Sequence, residues 1–161
     1  FEKLSANLGK AVLSIGAVKG FEIGDGFAVA DAFGSTNNDS LYYKEESGSQ
    51  VLKKSSNHGG DIYGGISDGS EICFRAAVKP TPSIAKLQKT VNKEGKNIEV
   101  NIKGRHDPII VPRAVVVVES MAAITVADML LVSMSARMDK IAQFFGREQC
   151  FMEILNKEEN L

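Results

Sequence analysis

Tryptophan is absent from these 161 residues, and histidine and cysteine occur twice each. Cys73 and Cys150 stand 77 positions apart, too few thiols for a zinc site of their own or for a disulfide framework. They read as reduced thiols in a cytoplasmic protein. His58 and His106 have neither helical nor finger spacing, so no metal site is expected. An excess of one charge is also missing. The 19 Lys and Arg nearly balance 20 Asp and Glu, and a net charge of −1 makes no electrostatic case for nucleic acid. The longest apolar stretch, Val111 to Met134, is interrupted by Arg113, Glu119 and Asp128, and charges at that density argue against a membrane span. No serine lies in a nucleophile elbow and no histidine lies close to a cysteine in sequence, which argues against a hydrolytic triad. Neither a secretory leader pattern nor a solenoid repeat is read.

What is present suffices for one domain with a core: 43% of residues are apolar, and 24% charged is too few for a disordered chain. Phe1, Leu4, Leu8, Val12 and Ile15 fall at helical spacing, with an end expected near Ser14 and Gly16 as the stop signal. This pattern begins at residue 1 without a Met or a cap, so the chain is expected to be the C-terminal part of a longer protein. Ala17 to Ile23 reads as a strand closed by Gly24-Asp25-Gly26. Gly34 to Asn57 is polar and aperiodic, and is expected to form a long, mobile surface loop. Ile62 to Ile66 and Glu71 to Val78 read as a hairpin, as do Ile84 to Val91 and Ile98 to Lys103, the last strand half-buried by its alternation. Pro112 suits the first turn of a helix apolar nearly all round, which should therefore lie between other layers. Met138, Ile141, Phe144 and Phe145 share a face of a final helix that Gly146 interrupts, with Phe151, Ile154 and Leu155 in a further turn. Strands and helices are segregated, which predicts an α+β fold.

Four segments hold residues that packing alone does not require. Gly16 and Ala17 begin a small-residue junction that admits a planar or phosphorylated ligand, or simply stops a helix. Asn57-His58-Gly59-Gly60 and Gly64-Gly65-Ile66-Ser67 lack the lysine and helix of a phosphate loop, but their glycines permit close contact with a flat ring. His58 reads either as a catalytic group or as a turn residue. Lys79-Pro80-Thr81-Pro82-Ser83 combines a lysine, two hydroxyls and two prolines, either as an anion cradle or as a strand terminator. In Gly104-Arg105-His106-Asp107-Pro108, Arg105 offers a forked donor and Asp107 a proton acceptor, or the two form a local ion pair in a solvated turn.

Taken in order, these segments resemble the C-terminal half of the chorismate synthase family. The likeness runs from Ala17-Val18-Lys19-Gly20-Phe21-Glu22-Ile23-Gly24-Asp25-Gly26-Phe27 through Asn57-His58-Gly59-Gly60, Gly64-Gly65-Ile66-Ser67 and Lys79-Pro80-Thr81 to Gly104-Arg105-His106-Asp107-Pro108 and Pro112-Arg113-Ala114-Val115. It extends from about Leu4 to Leu131. The resemblance implies a helical layer between antiparallel sheets, in a homotetramer. It implies an anti-1,4-elimination of phosphate from 5-enolpyruvylshikimate 3-phosphate to chorismate, the last common step towards the aromatic amino acids. That reaction has no net redox change yet needs reduced FMN; some members reduce the flavin themselves, which brings in NADP, and others borrow a reductase. On the same basis Gly16, Ala17, Gly64, Lys79, Pro80, Thr81, Pro82, Ser83 and Arg105 fall on FMN-binding positions, Arg105 balancing charge at the ring or the substrate. Asp107 falls on the acid that works with the flavin in proton removal. The sequence departs from the family where Asn often replaces Gly16, Pro replaces Val116 and Cys replaces Ile109. The family's two catalytic histidines, its phosphate-gripping arginines and its Arg-Ser-Ser flavin contact belong to the N-terminal half, so neither His58 nor His106 takes those histidine roles. The chain alone is therefore expected to be inactive. A non-catalytic oligomerisation or phosphate-ligand-binding module is the alternative.

Overall fold

The computed structural model describes residues 2–146, so Phe1, Cys150, Phe151, Ile154 and Leu155 lie outside the described residues. The first helix, α1 (Leu4–Leu13), buries Leu4, Leu8, Gly9 and Val12 along one side, as their three- and four-residue spacing dictates. Leu8 and Val12 are fully enclosed and, with Val18, form the core. The absence of a side chain at Gly9 lets the Phe21 ring lie against the helix, where an added Cβ would stand 3.1 Å from the ring. Phe21 in turn meets Phe74, ring centres 5.4 Å apart. The helix stops as expected, but the left-handed residue after it is Ala17 (φ 70°) and not Gly16. An alanine held there carries strain of about 1–2 kcal/mol.

Beyond α1 come β1 (Val18–Ile23), a 3-10 turn (Gly26–Asp31), β2 (Leu41–Glu46), β3 (Ser49–Lys54), β4 (Ile62–Tyr63), β5 (Ile66–Ser67), β6 (Phe74–Val78), β7 (Leu87–Val91), β8 (Asn97–Asn101), α2 (Val111–Ser135) and α3 (Met138–Phe144). The strands form four antiparallel pairs, β1–β6, β2–β3, β4–β5 and β7–β8. This is an α+β chain, as its segregated pattern predicts. One side of α1 faces the β1–β6 ladder and the other lies along α2, where Asn7 reaches Met129.

Four expectations need correction. Gly34 to Asn57 is not an irregular loop, because β2 and β3 pair in full register from Leu41↔Lys54 to Glu46↔Ser49. Ser47 and Gly48, both at positive φ (55° and 79°), close it with the geometry of a two-residue hairpin turn. Its strands lack an apolar alternation because both faces meet solvent. Second, the segment Glu71 to Val78 does not fold back on Ile62 to Ile66; β6 pairs with β1, 60 positions upstream at Val18↔Val78, and β4 pairs only with β5. Third, β8 alternates in sequence but not in burial, since Ile98 and Val100 are both exposed within an isolated β7–β8 hairpin. Fourth, α2 has no buried residue. Its length and composition would suit a bilayer span, but by those criteria alone, and α1 lies along it. A helix apolar all round needs cover all round, and the described residues supply it mainly on one side. The expected sandwich is thus present as one sheet, α1 and α2, with the outer flank of α2 open. α3 does follow α2, with Met138, Phe144 and Phe145 exposed.

Candidate functional site

Strand pairing brings together two segments some sixty residues apart in sequence. The β1–β6 register sets Val18 against Val78, and one step further the Lys79 amide donates to the Ala17 carbonyl at 2.7 Å. Pro80 and Pro82 have no amide hydrogen to continue the ladder, so the chain leaves the sheet there. Gln88 steadies the exit by donating to the Pro82 carbonyl at 3.2 Å. Where the strands part, a cleft of about 390 Å³ opens between Ala17, Lys19, Lys79 and the Pro80-Thr81-Pro82 turn, with Ile110 at its far wall. That volume lies at the small end of ligand pockets. Thr81 Oγ1 is buried with no hydrogen-bond partner. Buried hydroxyls are nearly always paired, so an unpaired one beside two lysines fits an oxygen-rich anionic group. The donor set of the cleft therefore suits a phosphorylated cofactor such as FMN.

Among the residues singled out in the sequence, Ala17, Lys79, Pro80, Thr81 and Pro82 line this cleft. Ser83 follows them in the turn without lining it, and Gly16 precedes Ala17 with open space where a side chain would go. Gly64 is held elsewhere. The carbonyl of its neighbour Gly65 accepts from the Leu4 amide, at the start of α1. α1, ten residues and ~15 Å long, runs from beside that turn towards the segment that carries Ala17.

Arg105, His106 and Asp107 lie in the segment that leads into α2. Ile110 caps α2 and walls the cleft, and three residues of chain from Ile110 to Asp107 reach at most ~11 Å. Asp107 does not pair with Arg105: its carboxylate accepts from Arg113 Nη1 at 2.7 Å, across the first turn of α2. Both side chains are exposed, so the pair adds at most about 1 kcal/mol to stability. Arg105 is exposed. His106 Nε2 is a second buried atom without a hydrogen-bond partner.

A polar cluster that the sequence did not disclose surrounds His58. Its Nδ1 lies 2.6 Å from Asp25 Oδ2, which also accepts from Asn37. The His58 amide donates to Asp39, as do the Gly59 amide, the Ser56 hydroxyl and the Tyr63 hydroxyl. Burial opposes the charge on Asp39, but the Ser56 hydroxyl, those amides and His58 outweigh it and hold the carboxyl below its usual value. Nearby, a hydrogen bond shared with Asp61, then those with Lys54 and Ser70, keep Asp68 far below the ordinary carboxylate range. The available signal was the placing of Asp25 between two glycines, and of Asn57 and Asp61 around Gly59-Gly60, since Asx side chains in such positions bond nearby backbone.

Both carboxyls titrate lower folded than unfolded. Their stabilisation is complete above the unfolded value of 3.8 and is lost as pH falls through the folded values. Chemical denaturation should accordingly show stability declining below about pH 4, and Asp68→Asn should flatten that decline.

The fold is α+β, and among the described residues the one strand pair between distant segments opens into a cationic cleft. Comparison with known proteins gives the family. The sequence model of chorismate synthase matches residues 1–131, and the chain belongs to that family. It is 63% identical over 147 residues to the chorismate synthase of Agathobacter rectalis, covering 91% of this chain and 39% of that protein. With the chorismate synthase of Porphyromonas gingivalis it shares 53% identity over 137 residues, 85% of this chain and 36% of the relative. A crystal structure of chorismate synthase matches with a TM-score of 0.61 at 32% identity, over 89% of this chain and 35% of the other. The chain thus spans about two-fifths of the length of the curated relatives it matches. The likeness expected from Leu4 to Leu131 agrees in extent with the family match.

Proposed function

We propose that this chain is the C-terminal part of a cytoplasmic, homotetrameric chorismate synthase, which eliminates phosphate from 5-enolpyruvylshikimate 3-phosphate in aromatic amino acid biosynthesis. The observation that carries the reading is the meeting of Ala17 and Lys79 in one cleft with an unpartnered Thr81 hydroxyl. These are positions that the family resemblance assigns to FMN, and strand pairing unites them. Lys19 and Lys79 attract the anionic end of the cofactor, Thr81 Oγ1 donates to it, and the two prolines keep the turn from relaxing. Gly16, Gly64 and Ser83, which the family resemblance also assigns to FMN, would meet it outside this cleft. Reduced FMN, when bound, supplies electron density to the reacting allylic centre.

The elimination breaks one C–O bond to phosphate and one C–H bond. Negative charge grows on the departing phosphate, and a fixed cation such as Arg105 lowers that barrier. The C–H electron pair becomes part of the new C=C bond, and the proton passes to an Asp107 carboxylate oxygen. Arg113, donating to the same carboxylate, orients Asp107. The histidines and phosphate-gripping arginines that the family uses belong to its other half, so this chain by itself turns nothing over.

The test is chorismate formation with reduced FMN, by the 161-residue chain and by the chain joined to the upstream half of a close relative. Product from the joined protein only is the expected result; none from either rejects the reading. The open flank of α2 favours a further role in assembly with other polypeptide, which is compatible with this one.

A further inference from the structure

We propose that Asp61, held by Lys54, is a positioning residue of the cofactor site: it fixes the Gly64-Gly65 turn in the shape that meets the flavin. This rests on the assignment of Gly64 to FMN made above. The turn connects β4 and β5, strands of two residues each with only two paired positions, Ile62↔Ser67 and Tyr63↔Ile66. A hairpin that short does not hold its own shape in water. Gly64 and Gly65 both have positive φ, 60° and 92°. Nothing stands within 4 Å of where a Gly64 side chain would be, so that face of the turn is open to a ligand. On its other side the turn is docked, because a Gly65 side chain would meet Lys3 at 2.6 Å and the Gly65 carbonyl receives the Leu4 amide.

The base of this hairpin is closed by one carboxylate. Asp61, fully buried, precedes β4, and its oxygens accept from the Ser67 hydroxyl at 2.5 Å and from the Ser70 amide at 2.8 Å, beyond β5. The Asp61 amide donates to Asn57 Oδ1, which also accepts from Lys54 Nζ. Lys54, nine-tenths buried, places its ammonium 3.8 Å from Asp61 and 2.8 Å from Asp68, and over the Tyr63 ring at 5.3 Å. Lys54 ends β3. The β2–β3 hairpin is therefore tied through the Lys54 ammonium, by its pairs with Asp61 and Asp68, to the hairpin that carries Gly64, and that turn to the start of α1, four residues beyond whose end lies Ala17. Removing one partner of a buried ion pair leaves the other charge uncompensated, so the Lys54–Asp61 pair holds the base of the hairpin in one arrangement.

The experiment uses the chain joined to its upstream half, titrated with FMN in the presence of 5-enolpyruvylshikimate 3-phosphate. Asp61→Asn, which tolerates the left-handed backbone at this position (φ 70°), should raise the FMN dissociation constant about tenfold, a weakening of about 1.4 kcal/mol. Amide hydrogen exchange at Gly64 and Gly65 should speed up, while kcat at saturating FMN stays within twofold. Lys54→Met should act in the same direction, the double variant no worse than the worse single one, and Lys54→Arg should restore binding. If Asp61→Asn fails to fold, Asp61→Gly keeps the backbone without the carboxylate and must show the same loss. Unchanged FMN binding in the folded variant overturns the positioning role. Should the unsubstituted protein bind no FMN, the flavin reading itself fails, and unchanged exchange at Gly64 and Gly65 in the variant then also overturns the clamp.

Discussion

Gly24→Ala should destabilise the chain by about 4 kcal/mol, close to the limit for a single substitution. Gly24 follows β1 at φ 54°, and a Cβ there would stand 1.9 Å from the His58 carbonyl oxygen and 2.7 Å from the Gly60 nitrogen. Both are backbone atoms, so no side chain can swing aside. The contact is close because the Gly24 amide donates to the Cys73 carbonyl and the Asp25 amide to the His58 carbonyl, drawing three segments onto one point. A methyl group would have to part them, and the β1–β6 ladder that shapes the cleft starts one residue away at Ile23↔Phe74. Gly48→Ala is the control. It carries the same left-handed strain, at φ 79°, with nothing within 4 Å, and should cost only about 1 kcal/mol. Urea unfolding of the two variants separates steric crowding from backbone conformation. Equal losses would show that the crossing at Gly24 is not tightly packed.

Asp107→Asn should lower kcat by 10²- to 10⁴-fold, the range of a lost general base, in the chain joined to its upstream half. FMN affinity should stay within about twofold, because asparagine keeps the shape and can still accept from Arg113. Stability should hardly change, since the Asp107–Arg113 pair is exposed and contributes about 0–1 kcal/mol. What the substitution removes is the capacity to take a proton. Rapid mixing under reducing conditions, with chorismate followed by absorbance, measures the step. A rate equal to that of the unsubstituted protein would remove Asp107 from the mechanism.

The helices were the most legible elements. In α1 the apolar spacing of Leu4, Leu8 and Val12 is also its burial pattern, because a helix that packs on one side writes its neighbour into its own periodicity. The same reasoning failed for β8, whose Ile98 and Val100 alternate with polar residues yet lie exposed. Alternation records which face of a strand is apolar, not whether the described residues cover it. In β2 and β3 the opposite held, since strands open on both faces need no alternation and announce themselves only by the turn at Ser47-Gly48. The site shows the same division. Lys79 to Ser83 stood out by its own composition. Ile110, Asp39, Lys54 and Asp61 did not, because their roles come from contacts that no local motif announces.

Residue order by itself was enough to establish the α+β class, the C-terminal end of the first helix and the break after Val78, and to point to the family; it did not place the start of that helix, which is Leu4 and not residue 1. Such features depend on backbone propensity and on motifs that are local. Tertiary structure alone decided that β6 joins β1 and not β4, that Asp107 pairs with Arg113, and that Lys54 is locked against Asp61. Partner choice among strands and charges is a competition between pairings that local propensity does not rank, settled by which of them close together in the folded chain, and no single segment carries that information.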